Sequence, residues 1–204
     1  MVLRAQTETD SIPVFRYELE AGQTLPFLVG SEYAGWHLGG LVKGKKPRLY
    51  HRTSADFFAW RYFPGVYYPT DSLGLYQDSG HVYRLSLAYG LEGRSWLSER
   101  VSLSGGGEIG VEHMWRNVIT DRWPEGNIQD MPTREREISQ DWAGLLNVYG
   151  GVTIWFDEQL GLYGESWLRS RLSWENDMGV STISYHSQLE ARFGIKYRFG
   201  AVGR

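Results

Sequence analysis

The chain has 204 residues, a net charge of -3 at pH 7 and no cysteine. That length holds one domain with a full core, the mildly acidic balance argues against nucleic acid as a partner, and the missing thiols exclude a disulfide framework, a cysteine nucleophile and a thiolate metal site. A mean hydropathy of -0.39 beside 9 Trp, 13 Tyr, 8 Phe and 25 Gly requires the apolar groups to be gathered into stripes.

No apolar run reaches roughly 18 residues, so no segment reads as a transmembrane helix; a spanning barrel stays open, because its strands are short and alternating. Residues 1–11 read as an N-terminal extension, with Met1 to Ala5 as a signal-peptide remnant. Residues 12–200 read as the barrel and 201–204 as a tail.

Strand side chains alternate between two faces, so strict period-two segments mark strands. Val14 to Gly22 sets Phe15, Tyr17, Leu19 and Ala21 against Arg16, Glu18 and Glu20. Phe27 to Val42 is glycine-rich and its phase is open. In Leu49 to Phe63, Tyr50, Phe58, Trp60 and Tyr62 share a face with Arg52 and Asp56, which leaves that phase open too.

The pattern then sharpens. His81 to Gly93 opposes Tyr83, Leu85, Leu87, Tyr89 and Leu91 to Arg84, Ser86, Ala88, Gly90 and Glu92. Val101 to Ile119 opposes Ile109, Val111, His113 and Trp115 to Glu108, Gly110, Glu112 and Arg116. Trp142 to Phe156 carries Leu146, Val148, Val152, Ile154 and Phe156 against Asn147, Tyr149, Gly151 and Thr153. Leu160 to Trp174 carries Leu160, Leu162, Leu168, Leu172 and Trp174 against Tyr163, Glu165, Trp167, Arg169 and Arg171. From Ile183 to Gly200, Leu189, Ala191, Phe193, Ile195, Tyr197 and Phe199 oppose Gln188, Glu190, Arg192, Lys196 and Arg198.

The connections alternate long and short. Pro64 to Gly80 and Thr120 to Asp141 are the two long ones, and in a barrel they fall at the same end; "TREREIS", Thr133 to Ser139, reads as solvated loop. An all-β, antiparallel up-and-down transmembrane barrel of eight strands is expected. Ten is the alternative, and Val66 to Tyr76 is a candidate for an extra short hairpin above the membrane.

A soluble lipocalin-like carrier would give the same alternation turned inside out, with an apolar ligand cavity. Three features favour the membrane version. The strands exceed the about five or six residues usual in globular sheets and meet the roughly nine to eleven that a tilted span needs. The polar faces mix acids and bases with Gly, Ala and Ser, which suits a narrow interior filled by side chains. Aromatics gather toward strand ends, as in Phe58, Trp60, Tyr62, Phe63, Tyr67 and Tyr68, in Trp115 and Trp123, and in Tyr197 and Phe199, where interfacial girdles are expected.

On these residues the chain resembles the small outer-membrane β-barrel proteins of Gram-negative bacteria. The ending Tyr197-Arg198-Phe199 is similar to the C-terminal signal read by the barrel-assembly machinery, although here the chain runs on through Gly200 to Arg204. The resemblance implies an outer-membrane location, lipid and lipopolysaccharide as surroundings, the assembly machinery as a partner during biogenesis, and other envelope proteins as further partners.

The expected interior charge network comprises Arg16, Glu18, Arg84, Glu92, Glu108, Glu112, Arg116, Glu165, Arg169, Arg171, Glu190 and Arg192, with Glu112 to Arg84 and Glu165 to Arg192 as candidate pairs. For ligand binding, loop residues Tyr67, Tyr68, Asp71, Tyr76, Arg122, Trp123, Arg134 and Arg136 are the candidates, since loops on a rigid scaffold commonly carry binding function. No catalytic set, cofactor or metal site is expected. Some relatives in this superfamily are lipid A deacylases that use His, Ser and an acid on the outer face; here His186 and Ser187 point to opposite sides of a strand, and Glu190 shares the His side. His37, His51, His81, His113 and His186 are scattered without ligand spacing. Gly105 to Gly107 lack the helix that a phosphate loop must open. The expected role is structural or binding, through a plugged lumen and long outer loops, with a lipid A hydrolase and an apolar-ligand carrier as the alternatives.

Overall fold

The computed structural model describes residues 15–26, 34–46, 48–67, 75–123, 131–177 and 180–201. Eight strands follow one another: β1 (Phe15–Pro26), β2 (Ala34–Lys43), β3 (Leu49–Tyr67), β4 (Leu75–Ser98), β5 (Val101–Trp123), β6 (Thr133–Trp155), β7 (Leu160–Asp177) and β8 (Val180–Ala201). Each pairs antiparallel with its chain neighbours, and β1 pairs with β8 from Phe15↔Ala201 to Pro26↔Glu190, closing the ring. Closure leaves eight strands instead of the alternative ten.

The strands alternate because one face must meet lipid while the other fills a narrow interior. Leu19, Leu87, Ile109, Val148, Leu168 and Leu189 are exposed on the outside, whereas Glu20, Arg52, Glu108, Trp167 and Arg192 are buried within. Ile109 is 66% exposed and its neighbour Glu108 only 1%. A water-soluble barrel would reverse that contrast, so the apolar belt faces a bilayer.

Close approach of strands explains a pair of glycines at the closure. Gly22 lies opposite Gly194 across the β1–β8 seam. A Cβ on Gly194 would overlap the carbonyl oxygen of Ala21, and one on Gly22 would overlap that of Phe193. The two strands approach too closely there for a side chain, and only glycine fits.

Three expectations change. First, much of the two long connections is strand: β3 and β4 continue to the register pair Tyr67↔Tyr76, and β5 and β6 to Arg122↔Thr133. Beyond the bilayer both sheet faces meet water, so the sequence there loses the alternation that marks a half-apolar strand. The β3–β4 register shifts between Tyr62 and Gly65, around Phe63-Pro64, where proline has no N–H to donate to the ladder.

Second, β3 takes the phase that puts Tyr50, Arg52, Ser54, Asp56 and Phe58 inside. Phe58 is therefore not part of a lipid-facing girdle; it lies beneath the Arg84 guanidinium, 3.8 Å from its ring centroid. Third, the alternation of β1 breaks at its start: Phe15 is buried and Arg16 exposed. Of the extensions at either terminus, residues 1–14 and 202–204 lie outside the described residues, and β8 itself runs through Ala201.

Candidate functional site

The interior is an ionic ladder in two linked clusters. In the lower one the Arg52 guanidinium meets Glu20, Glu92 at 3.0 Å, Glu165 at 2.9 Å and Glu108 at 3.4 Å. Tyr149 and Trp167, stacked on each other, lie 4.5 and 5.0 Å from the same guanidinium. Lys196 forms ion pairs with Glu20 at 3.2 Å and Glu165 at 3.1 Å, and Arg94 joins Glu18 to Glu92. A buried charge is tolerated only when paired and hydrogen-bonded, and here each cation is shared among several carboxylates.

The upper cluster centres on Asp56, which accepts from Arg192 at 2.7 Å and Arg169 at 3.2 Å. Arg169 continues to Glu112 at 2.9 Å, Arg171 reaches Glu112 at 3.0 Å, and Arg84 reaches Glu190 at 3.0 Å. His37 links the clusters. Its Nε2 lies 2.8 Å from Glu20 and its Nδ1 2.7 Å from Asp56, an arrangement satisfied when both nitrogens donate and the ring is an imidazolium.

Below the lower cluster, Arg198 is enclosed by aromatic rings: Trp155 at 4.0 Å, Phe15 at 4.6 Å and Trp96 at 5.2 Å from its guanidinium carbon. Its Nε donates to the carbonyl of Glu158 in the β6–β7 turn. In that turn Asp157 accepts backbone N–H bonds from Leu160 and Gln159, both 2.7 Å, which hold its carboxyl below the usual range. The cage lies at the end of the lumen where the short turns are.

At the other end, β4, β5 and β6 rise as a sheet above the belt. The transition is marked on the outer face by a row of rings: Tyr83 stacks on Trp115 at 5.7 Å, and His113 lies tilted against Trp115 at 5.2 Å and Trp142 at 4.3 Å. Such amphipathic rings sit at a membrane–water interface. Higher up the face is polar. Arg134 grips Asp121 with two bonds of 2.7 and 3.0 Å, which lowers the Asp121 pKa, and Arg136 donates to Asn117 at 2.8 Å.

β6 pairs with β7 only from Ala143↔Ser173 downward, so Thr133 to Trp142 forms a sheet edge with no β7 partner among the described residues. The alternating charges of "TREREIS" belong to that edge strand and not to a loop. Charges on an exposed edge discourage indiscriminate strand pairing.

Of the charges expected inside, Glu18, Arg84, Glu92, Glu108, Glu112, Glu165, Arg169, Glu190 and Arg192 line the lumen, with Arg171 half-buried at its upper end. Two lie elsewhere. Arg16 is exposed beside Tyr17, because the β1 alternation breaks, and Arg116 is exposed above the belt, where it pairs with Asp141 at 3.1 Å. The pairings also differ in part. Arg84 is 3.5 Å from Glu112, but Glu165, although opposite Arg192 in the register, turns to Arg52 and Lys196, and Arg192 stacks on Trp167 at 3.5 Å instead.

Glu20, His37, Arg52, Asp56, Arg94, Lys196 and Arg198 complete the network. Glu20, Lys196 and Arg198 were marked by alternation. Arg52 and Asp56 were hidden by the aromatics of their face, His37 by its glycine-rich strand, and Arg94 by lying just past the alternating segment His81 to Gly93. Among the loop candidates, Arg122, Arg134 and Arg136 are exposed on the raised sheet, Trp123 is buried, Tyr67 and Tyr76 pair at the end of the β3–β4 hairpin, and Tyr68 and Asp71 lie outside the described residues.

Ser187 faces outward and bonds to Tyr185 at 2.6 Å and Ser170 at 3.2 Å, while Glu190 points inward to Arg84. The three residues considered for hydrolysis are thus divided between the two faces.

An even-numbered closed ring, an apolar belt with an interfacial aromatic row, short turns at one end and raised hairpins at the other are the features of a small membrane-spanning β-barrel. No family model matches the sequence, and no curated protein matches it. Among solved structures the chain is similar to Ail, the attachment invasion locus protein of Yersinia pestis, at 13% identity and a TM-score of 0.48 over 90% of this chain and 96% of that one. It is also similar to Neisserial surface protein A, at 12% identity and a TM-score of 0.48 over 90% and 94%. The outer membrane protein OprG of Pseudomonas aeruginosa is similar at 10% identity and a TM-score of 0.49 over 93% and 98%.

Proposed function

We propose that this barrel is a non-conducting, non-enzymatic outer-membrane protein that acts by presenting its raised β4–β6 sheet to other components of the envelope. The observation that carries the reading is the interior: Arg52, Lys196 and His37 tie charges from five strands across the lumen, and the Arg198 cage lies at the turn end. With the centre occupied by paired side chains, transport through it has no path, and the surface is left to do the work. Lipopolysaccharide surrounds the outer half, the assembly machinery inserts the chain, and another envelope protein or a surface glycan is the partner of the raised sheet.

Reconstitution into planar bilayers tests this. The native chain gives no steady conductance steps above the lipid baseline, and reproducible steps would overturn the plugged reading. Release of fatty acid from lipopolysaccharide by the native chain, abolished in Ser187→Ala, would favour the hydrolase. The separation of Ser187 from His186 and Glu190 argues against it.

A further inference from the structure

The end of β2 and the turn to β3 carry Lys43, Lys45, Lys46 and Arg48 in a stretch of six residues that contains no acid. It is folded by Gly44 N–H donating to the Leu49 carbonyl at 2.8 Å and by Arg48 in a left-handed conformation, φ 67°. Lys45, Lys46 and Arg48 are exposed, and Arg16 is exposed beside them on β1. Among the described residues, none of these five cations takes part in an ion pair. Of the other described cations at this end, Arg94 and Arg198 turn inward to carboxylates and rings, and Arg100 stands alone in the β4–β5 turn, so only the β1–β3 sector gathers several exposed cations.

Their depth is set by the belt. Val42, Tyr17 and Phe199 form one register row across β2, β1 and β8, and Tyr17 stacks on Phe199 at 5.5 Å. Val42 is 44% exposed and Phe199 36%, so this row is the lower limit of the lipid-facing apolar surface in that sector. Lys45 and Lys46 lie three and four residues further on, in the turn that Gly44 and Leu49 close, so their backbone is at most about 10 Å of chain beyond the row, or about 8 Å along the membrane normal for a strand tilted by roughly 40°. The headgroup layer of one leaflet is about 5–8 Å deep, so the ammonium groups fall at the level of the lipid phosphates. Flexible stems let lysine reach that layer from the barrel wall.

We propose that this five-cation patch on the β1–β3 sector binds the phosphate headgroups of anionic phospholipids in the leaflet at the turn end. The barrel thereby carries a fixed anionic lipid shell on one side. The chemistry is that of a juxtamembrane polybasic segment, in which each cation near an anionic surface adds attraction.

The test is native mass spectrometry of the full chain refolded in detergent and titrated with phosphatidylglycerol or with phosphatidylcholine of the same acyl chains. The native barrel prefers phosphatidylglycerol for the first bound lipid by roughly tenfold. In Lys45→Glu/Lys46→Glu the preference falls close to unity, and in Lys45→Arg/Lys46→Arg it is retained. Arg134→Glu, at the opposite end, leaves it unchanged. Heat-modifiable migration confirms that each variant is folded, and Lys45→Gln/Lys46→Gln replaces the Glu pair if that variant does not fold. Equal binding of the two lipids by the native chain, or a preference that survives loss of both lysines, overturns the proposal. So does a preference abolished by millimolar inorganic phosphate, because the patch would then be a site for free anions instead of a lipid-facing surface.

Discussion

Arg52 illustrates how a single residue organises this interior. It is fully buried, shared among four carboxylates and close to two rings, so its removal strands several negative charges with no water to receive them. Losing one partner of a buried ionic group costs about 3–5 kcal/mol. Arg52→Ala should lower the urea midpoint of the refolded barrel by an amount corresponding to that range. Arg52→Lys should recover part of it, since the charge stays while the planar fork and its ring contacts go. A midpoint unchanged in Arg52→Ala would mean that water fills the lumen and solvates the carboxylates.

Asp121 provides a residue-scale test on the raised sheet. Its folded pKa is depressed, chiefly by the Arg134 hydrogen bonds, so its contribution to the β5–β6 pairing is present above the ordinary carboxylate pKa of about 3.9 and is lost as pH falls through the folded value. Carbon-detected NMR of the Asp121 carboxyl should show a titration midpoint below that ordinary value, and Arg134→Ala should return it upward. An unshifted midpoint in the native chain would show that the pair does not persist in solution.

Among the elements, the β1–β8 seam and the β6 edge carry opposite demands. The seam must close, and the Gly22–Gly194 approach lets it do so. Gly194→Val introduces a branched side chain against the Ala21 carbonyl, so the variant should refold in poor yield, read as the fraction migrating as the compact form before boiling. Gly164→Ala provides the control, because a Cβ there meets nothing within 4 Å and refolding should match the native chain. The β6 edge must stay open without aggregating, which accounts for the alternation of Arg134, Glu135, Arg136 and Glu137 along it.

For the whole molecule, the inside-out distribution predicts dependence on an amphiphile. Refolded in detergent, the chain should run faster unboiled than boiled on a denaturing gel, and no folded form should persist in detergent-free buffer. A detergent-free folded monomer would require water to tolerate a belt that includes Leu38, Ile109 and Trp142, each more than 60% exposed.

Alternation was enough for a barrel and most of its membrane face, from Tyr83 to Leu91 on β4 through Leu189 to Phe199 on β8, because a strand between lipid and a polar interior must repeat every second residue, whereas the choice of eight strands over ten came from the β1–β8 closure. Glu20, Lys196 and Arg198 were readable as inward-facing for the same reason. The phase of β3 was decided by tertiary structure: Tyr50, Phe58, Arg52 and Asp56 share a face that periodicity leaves ambiguous, and only the neighbouring Arg84, Arg192 and Arg169 make that face the interior. The upper ends of β4 (Leu75 to Gly80), β5 (Thr120 to Trp123) and β6 (Thr133 to Asp141) were likewise unmarked, since above the membrane both faces meet water and no apolar-to-polar contrast is written into the chain. The partners of each charge were decided last, by a lumen so narrow that Glu165 reaches across to Arg52 on β3 instead of pairing with Arg192 directly opposite.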